Sequence, residues 1–224
     1  MDSSKKQDSI LMSSASRRGF LVGASALGAA AAISPTSVMA ATPKRGGHFR
    51  LGLGHGSTTD SLDPATFENL YMQVVGATLR NGLTEVDQNG NLVPELAESF
   101  HASPDGRVWS FKLRKGVKFH NGKTMDSADV IASINHHRGK DSKSAAKKLL
   151  QPIVEMKADG PNAVVITLED GNADFPYIIS DYHIPIMPKS GSGVDWKSGV
   201  GTGAMMLQKY EAGVRTTMKR NPNY

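Results

Sequence analysis

The residues best suited to chemistry lie in a short cationic run, His136-His137-Arg138, which the surrounding pattern places at the end of a helix. The planar guanidinium of Arg138 could bind a carboxylate through two parallel hydrogen bonds. Adjacent helical residues point about 100° apart, so His137 could face a binding cleft while His136 faces solvent. Alternatively, these cations stabilise the negative end of the helix dipole. Both interpretations describe non-covalent contacts, and neither supplies a nucleophile.

A second pair of candidate binding residues, Tyr182 and His183, immediately precedes an apolar, proline-containing segment at 184–188. An aromatic ring and an imidazole could line the wall of a ligand site there, although packing of Tyr182 in a hinge is the alternative. Pro185 and Pro188 exclude residues 184–188 from the interior of a sheet. We therefore predict that this segment is a hinge crossing.

The sequence gives little support for enzyme chemistry or metal binding. It contains no cysteine, and its seven histidines show no His-Glu-x-x-His spacing. No nucleophile elbow is present. Gly52, Gly54 and Gly56 lack the third-glycine spacing and the following helix of a dinucleotide loop. We therefore predict no metal, no cofactor and no catalysis, with an exported periplasmic enzyme as the less favoured alternative.

Residues 1–40 are predicted to be an export signal. A basic start, an uncharged run at 20–33 and small residues before Ala41 match the three regions of a signal peptide. Arg17 and Arg18, followed by Gly-Phe-Leu, are typical of twin-arginine signals, and an ordinary secretory signal is the alternative. The apolar run is shorter than the ~20 residues of a membrane span. Without a cysteine for lipid attachment, we predict a soluble periplasmic protein that uses the Tat export machinery and is not a lipoprotein.

The charge of the remaining chain is nearly balanced. Of 26 basic and 21 acidic residues, four and two lie in the first 40 residues, which leaves a net charge of +3. The basic clusters at 112–118 and 147–148 have no interleaved aromatic residues, so we predict no nucleic-acid binding. The remaining length, about 184 residues, is enough for one domain or two small ones.

Periodicity predicts a mixed α/β (α+β) chain. The predicted strands are 48–53, 83–86, 92–93, 154–159, 163–168, 205–210 and 215–220. The predicted helices are 66–80, 126–138 and 144–150, with helical turns at 94–99 and 174–180. The apolar side of the first helix is expected to carry Leu70, Val74 and Ala77.

Residues 109–123 form the most distinctive stretch and predict a β-hairpin. Trp109, Phe111 and Leu113 alternate with polar residues, and a Lys-Gly turn precedes Val117 and Phe119. This stretch is one of seven blocks, all in the same order, that resemble the family 5 extracellular solute-binding proteins of peptide, nickel and opine ABC transporters. The blocks are Ser61-Leu-Asp-Pro64, Leu79-Arg-Asn-Gly-Leu83, Val93-Pro-Glu-Leu-Ala-Glu-Ser99, 109–123, Asp129-Val130, Gly201-Thr-Gly203 and Arg220-Asn-Pro-Asn-Tyr224.

The resemblance implies a type II periplasmic-binding fold, in which two lobes enclose the ligand. It places residues 44–79 and 188–224 in the first lobe and 80–187 in a small inserted domain. Family members are typically more than twice as long, and the last block normally precedes the second lobe. The resemblance therefore implies that the second lobe is missing, either because the sequence is a fragment or because the product is a truncated, non-binding remnant.

For function, the resemblance implies the substrate-binding component of an ABC importer. Such a protein, expected to be a monomer, captures a peptide-like or amino-acid-derived solute and delivers it to the membrane permease. In the family pattern the start of the first helix faces the cleft, which adds Phe67, Glu68, Asn69 and Tyr71 as candidates. Alternatively, Phe67 and Tyr71, four residues apart, pack against each other. The predicted ligand-binding residues are Phe67, Asn69, Tyr71, His137, Arg138, Tyr182 and His183.

Overall fold

The computed structural model describes residues 46–224, and the predicted signal peptide at 1–40 lies outside those residues. The compact unit Arg50–Tyr224 is a mixed α/β structure, as predicted, and all of its strand pairs are antiparallel. Within the described range, no helix has the length and apolar character needed to span a membrane. In chain order the elements are α1 (Leu70–Leu79), β1 (Thr84–Val86), β2 (Leu92–Pro94), β3 (Ala97–Ala102), β4 (Val108–Leu113), α2 (Ser127–His136), β5 (Ile153–Ala158), β6 (Ala163–Leu168), α3 (Phe175–Ile179), β7 (Lys189–Ser190), β8 (Gly193–Val194), β9 (Met205–Glu211) and β10 (Arg215–Arg220).

A four-stranded antiparallel sheet in the order β3-β4-β6-β5 forms the largest part of the fold. Strand β4 has the predicted alternation, with Trp109, Phe111 and Leu113 buried and the intervening side chains more exposed. Strand β6 alternates in the same way and buries Val164 and Ile166. Both strands therefore direct apolar side chains to one face of the sheet, as expected for a half-buried sheet.

The predicted hairpin at 109–123 is only half correct. Its first strand is β4, but Val117 and Phe119 form no strand, and a single bridge joins Lys118 to Thr124. The two edges of β4 are instead paired with β3, which immediately precedes it in the chain, and with the distant strand β6. Alternation determines which side chains are buried, but it does not determine which strand becomes the neighbour.

Helix α2 packs on the apolar face of the sheet. Its start is a capping box, in which Asp126 accepts from the backbone NH of Asp129 and Asp129 accepts from that of Asp126. Val130 and Ile134, four residues apart, are fully buried in the core of the sheet. The predicted helix at 126–138 is therefore confirmed, although it ends slightly earlier, at His136.

Buried apolar side chains form two separate clusters. The first, the sheet cluster, joins the sheet to α2, α3 and the crossing near 184–186, and includes Leu83, Trp109, Phe111, Val130, Ile134, Ile166, Phe175, Ile184 and Ile186. The second, the helix cluster, contains Leu62, Phe67, Met72, Val75 and Leu79. Leu207, Tyr210 and Met218 of the β9–β10 hairpin pack against the helix cluster. Helix α1 therefore belongs to a different packing unit from α2.

Three other predicted elements and one predicted helix face differ from the structure. Residues 48–53 form no strand, and 94–99 contain strand pairing in place of a helical turn because Ala97–Ala102 pairs with β4. Residues 144–150 contain only a 3₁₀ turn at Ala145–Lys147, since such a short segment is a marginal helix. In α1, Leu70 is 53% exposed whereas Met72 and Val75 are buried, so the predicted apolar face was wrong.

The loop at 201–203 passes so close to the end of α1 that its glycines have no room for a side chain. A Cβ at Gly201 would collide with the carbonyl group of Leu79, and a Cβ at Gly203 would collide with that of Thr78. The close approach allows the NH of Gly203 to donate to the carbonyl of Leu79 at 2.9 Å. Close backbone approach therefore explains the glycines of this loop.

We predict that Gly201→Ala lowers the free energy of unfolding by about 2 kcal/mol or more, because the new methyl group overlaps backbone atoms that cannot move independently. Urea denaturation monitored by circular dichroism measures the change. Gly193→Ala is the matched control, since a Cβ at Gly193 meets no atom within 4 Å. Equal stability of the two variants would contradict the packing argument.

Candidate functional site

Four of the predicted site residues, Phe67, His137, Tyr182 and His183, lie in one region where the helix cluster meets the sheet cluster. We call this region the junction; it comprises residues 62–67, 136–137 and 181–183. The loop 62–67 enters it through a 3₁₀ turn at Pro64–Thr66, whose N-cap is Asp63. Asn69 then caps α1, accepting from the NH of Met72 at 2.9 Å. Two consecutive caps thus bend the chain between the loop and α1.

Phe67 contributes its side chain to packing and its carbonyl group to the junction. The ring is 1% exposed and lies against Gly76, where a Cβ would overlap it. Phe67 is therefore a core residue of the helix cluster. Its carbonyl oxygen accepts a hydrogen bond from Nε2 of His183 at 2.7 Å.

His183 is the most fully bonded side chain of the junction. Besides the bond to Phe67, its Nδ1 lies 2.6 Å from Oδ1 of Asp181. Because a carbonyl oxygen and a carboxylate can only accept, each ring nitrogen of His183 faces a hydrogen-bond acceptor. The pKa of Asp181 is raised by burial, but the hydrogen bonds from His183 outweigh this effect and leave it below its ordinary value.

Tyr182 is the predicted site residue with the most accessible ring. It is 43% exposed, and its ring lies on that of His183 with centroids 4.0 Å apart. Burial and the negative charge of Asp181 raise the pKa of its hydroxyl group. The arrangement presents one aromatic face to solvent from a fixed support.

His136 extends the junction to the N-cap of the loop. Its Nε2 donates to Oδ1 of Asp63 at 2.8 Å, and this bond joins residues 73 positions apart. The pKa of Asp63 is raised by burial, yet the hydrogen bonds from His136 and from the NH of Ala65 lower it further, so the net shift is downward. The sequence offered stabilisation of the helix dipole as one role for His136. The structure adds a contact between His136 and the Asp63 carboxylate.

His137 is the buried member of the histidine pair. Its side chain is fully buried, its Nδ1 contacts the Ser144 hydroxyl at 2.7 Å, and its Nε2 has no hydrogen-bond partner within residues 46–224. Burial, and then the positive charge of His136, lower the pKa of His137 from 6.5 to about 4. His137 is therefore neutral at physiological pH and does not reach solvent.

Arg80 ties the end of α1 to two main-chain carbonyl groups. It is 2% exposed; its guanidinium donates to Leu62 O and Trp196 O, each at 2.8 Å, and its Nε is unpaired within the described range. Burial lowers its pKa to about 10, although the charges of Asp63 and Asp195 partly oppose the shift. The Arg80 side chain was not predicted to be a site residue.

The remaining predicted residues point away from the junction or serve as caps. Tyr71 places its hydroxyl 2.5 Å from that of Thr216 on β10. Arg138 donates to the Asn135 side chain and to the Ile153 carbonyl on β5. Asn69 also donates to Asp60, at 2.8 Å. The Arg138 donors that the sequence analysis assigned to a ligand carboxylate therefore have protein acceptors.

An open cleft of about 170 Å³ adjoins the junction between α1 and the segment 180–185. Arg80, Glu95, Asp181 and Tyr182 are among its lining residues. Burial raises the pKa of Glu95, against the opposing effect of hydrogen bonds from Asn81 and Gly82. Since solute pockets commonly enclose about 300–1,000 Å³, these residues could form only part of a complete site.

Sequence reasoning did not select Asp63, Arg80 or Asp181, which complete the junction. A signal was present for Asp63, because an Asp-Pro pair ahead of a helix is typical of a capped start. No local pattern revealed that Arg80 would be buried or that Asp181 would bind His183. The Arg80 contacts depend on residues brought together by the fold, whereas Asp181 and His183 are only two positions apart in the chain.

Comparison with known proteins identifies a family match. The model described as bacterial extracellular solute-binding proteins, family 5, matches residues 91–224, which is more than half of the chain. The sequence is 32% identical over 127 residues to the glutathione-binding protein GsiB of Escherichia coli, an alignment that covers 56% of this chain and 24% of GsiB. It is 25% identical over 201 residues to the oligopeptide-binding protein AppA of Bacillus subtilis, an alignment that covers 83% of this chain and 36% of AppA.

Solved structures show the same fold. The periplasmic binding protein AgaA of A. tumefaciens, in complex with agropinic acid, superposes with a TM-score of 0.67 and 26% identity, covering 74% of this chain and 34% of that protein. The nickel ABC transporter protein of Bacillus halodurans superposes with a TM-score of 0.62 and 30% identity, covering 74% of this chain and 33% of that protein. The chain therefore has the type II periplasmic-binding fold and spans about a quarter to a third of these relatives.

The buried His137 predicts a specific loss of stability in acid. Between pH 6.5 and about 4, the unfolded chain takes up a proton that folded His137 excludes. The contribution of His137 to stability should therefore fall as pH decreases, by about 1.4 kcal/mol per unit and about 3 kcal/mol in total, while the raised pKa of Glu95 acts in the opposite direction. The lowered pKa values of Asp63 and Asp181 act below 3.8, outside this window.

Urea denaturation across this pH range tests the prediction in His137→Asn, whose amide can retain the contact with Ser144. We expect the variant to have a shallower pH dependence than the parent. His101→Asn, at an exposed position on β3, should keep the parent's slope. An unchanged slope in His137→Asn would show that another group causes the acid sensitivity.

Proposed function

The chain belongs to family 5 of the bacterial extracellular solute-binding proteins, and we propose that it acts in the periplasm as the substrate-binding component of an ABC importer. In this role it captures a peptide-like or amino-acid-derived solute and delivers it to the membrane permease without altering it chemically. The observation that carries the proposal is the family match across residues 91–224.

The relatives support a solute of this class. The names of two similar proteins specify glutathione and oligopeptides as ligands, and one solved relative holds agropinic acid. Glutathione is itself a peptide, so two of these three ligands carry amide and carboxylate groups on a peptide backbone. Because the chain spans only about a quarter to a third of those proteins, its solute and its permease partner are inferred from them.

We propose the same domain division that the resemblance implied, with 44–79 and 188–224 in the first lobe and 80–187 as the inserted domain. The two apolar clusters support it. Apart from Leu62 and Phe67, whose loop precedes α1, the helix cluster draws its core from α1 and is covered by β9 and β10, whereas the sheet cluster lies between Leu83 and Ile186. The proposed boundaries therefore fall between clusters.

Of the predicted site residues, we propose Tyr182 as the solute-contacting one. Its ring is exposed beside the cleft, whereas Phe67, His137 and His183 are buried behind it. Aromatic rings contribute contact area at low entropic cost, which suits a wall that accepts varied side chains. The buried residues would support that wall from within.

We predict that at least one of four probes, glutathione, trialanine, agropinic acid or nickel ion, raises the melting temperature of the purified chain by mass action. Tyr182→Ala should weaken binding of that probe about threefold to tenfold, the loss expected for one aromatic contact of about 0.5–1.5 kcal/mol. Isothermal titration calorimetry measures the affinity.

Tyr177→Ala is the matched control, because Tyr177 is similarly exposed, at 45%, on α3 and does not line the cleft. It should bind like the parent. If none of the four probes shifts the melting temperature, the chain does not capture solutes of this class. An equal loss of affinity in both tyrosine variants would remove Tyr182 from the site.

We also propose that the twin-arginine signal at residues 1–40 directs export of a folded, monomeric chain that is not a lipoprotein. The Arg17-Arg18 pair and the absence of cysteine support this proposal. Replacing both arginines (Arg17→Lys, Arg18→Lys) should retain the precursor in the cytoplasm, as measured by cell fractionation and immunoblotting. Normal periplasmic accumulation of the double variant would instead indicate the general secretory route.

A further inference from the structure

The loop 62–67 is held at three points by nitrogen donors from three different parts of the chain. Arg80, after α1, donates to Leu62 O at 2.8 Å. His136, at the end of α2, donates to the Asp63 carboxylate at 2.8 Å, and His183 donates to Phe67 O at 2.7 Å. The loop is therefore fixed at its first two residues and at its last.

The loop's own hydrogen bonds cannot set this position. The NH groups of Ala65, Thr66 and Phe67 donate to acceptors on Asp63 and Pro64, all within the loop. These bonds close the 3₁₀ turn, but they join the loop to no element outside it. The position of the loop against the sheet cluster depends instead on His136 and His183. Arg80 cannot set it, because Arg80 directly follows α1, which belongs to the same packing unit as the loop.

The two histidines are anchored within the sheet cluster's half of the molecule. His136 ends α2, whose Val130 and Ile134 are buried against the sheet. His183 precedes Ile184, which is also part of that core, and its second ring nitrogen is held by Asp181. Each imidazole therefore connects the loop to a rigid element of the other packing unit.

We propose that His183, assisted by His136, is a positioning residue that fixes the loop 62–67 behind the Tyr182 ring, so that the loop backs the wall of the solute cleft that Tyr182 lines. This inference rests on the proposed function. Both ring nitrogens of His183 are used by the protein, so the side chain has no donor left for a solute. The Tyr182 ring, stacked on it, is the surface that a solute would meet.

The two nitrogens of His183 can be removed separately. A glutamine amide approximates the position of Nε2 and an asparagine amide that of Nδ1. His183→Gln should therefore keep the bond to Phe67 O and lose the one to Asp181, while His183→Asn should do the reverse. If the inference is correct, His183→Asn releases the loop and His183→Gln does not.

Hydrogen–deuterium exchange of the full chain tests this difference without any solute. In His183→Asn we expect the amides of Ala65, Thr66 and Phe67 to exchange about tenfold faster, the factor expected for one lost hydrogen bond. In His183→Gln they should stay within about threefold of the parent. Amides of β6 report global unfolding and should be unchanged in both variants. Equal loop exchange in the two variants would overturn the inference.

A second pair of variants decides the case if His183→Asn destabilises the whole chain. His136→Gln should retain the donor to Asp63, and His136→Asn should lose it, so only the latter should raise exchange in 62–67. Equal exchange in this pair, with β6 protected, would also overturn the inference.

Affinity for whichever probe binds separates this inference from the proposed function. His183→Asn should weaken binding more than His183→Gln, because only the former releases the loop. Selective loop release in a chain that binds no probe would support the anchoring role of His183 and contradict solute capture. Intact binding in both variants despite loop release would show that the loop is not part of the wall.

Discussion

The structure depends on satisfying main-chain and carboxylate oxygens where two apolar clusters meet. The helix cluster and the sheet cluster share no strand, and the region between them contains buried carbonyl groups of Leu62 and Phe67. Buried carbonyl groups without partners would be costly, and charged donors make strong bonds to them. Arg80 and His183 supply those donors, so the junction is held by charge-assisted hydrogen bonds as well as by apolar contact.

This arrangement explains why the charged residues of the site are poor candidates for direct ligand contact. The side-chain nitrogens of Arg80, His136 and His183 that hold the loop are already bonded to the protein. They are therefore unavailable to a solute. A buried cation also carries a desolvation penalty that is offset only when its partners are well placed. The junction therefore favours a fixed geometry, and it leaves recognition to the exposed Tyr182 ring and the neighbouring cleft. This division between supporting and contacting residues is a common design of binding sites.

Much of the local structure could be predicted from the sequence. The capping box at Asp126, the alternation in β4 and β6 and the glycines of 201–203 each reflect local chemistry or packing that a residue type announces directly. The errors have a common origin. Val117 and Phe119 alternate like a strand but find no strand partner, and Leu70 was placed on the wrong face of α1 because the helix has a second apolar stripe, Met72, Val75 and Leu79, which is the one that packs.

The sequence by itself determined the family, the mixed α/β class and most helix and strand positions, because those depend on motifs and on periodicity within short segments. Only the tertiary structure decided that His136 meets Asp63, that His183 meets Phe67 and that His137 is buried, since these partners are far apart in the chain or depend on the surrounding packing. A histidine has the same local signature whether it binds a solute, pairs with a carboxylate or is buried in a neutral form. Its environment, which the fold assembles from several elements, selects among these roles.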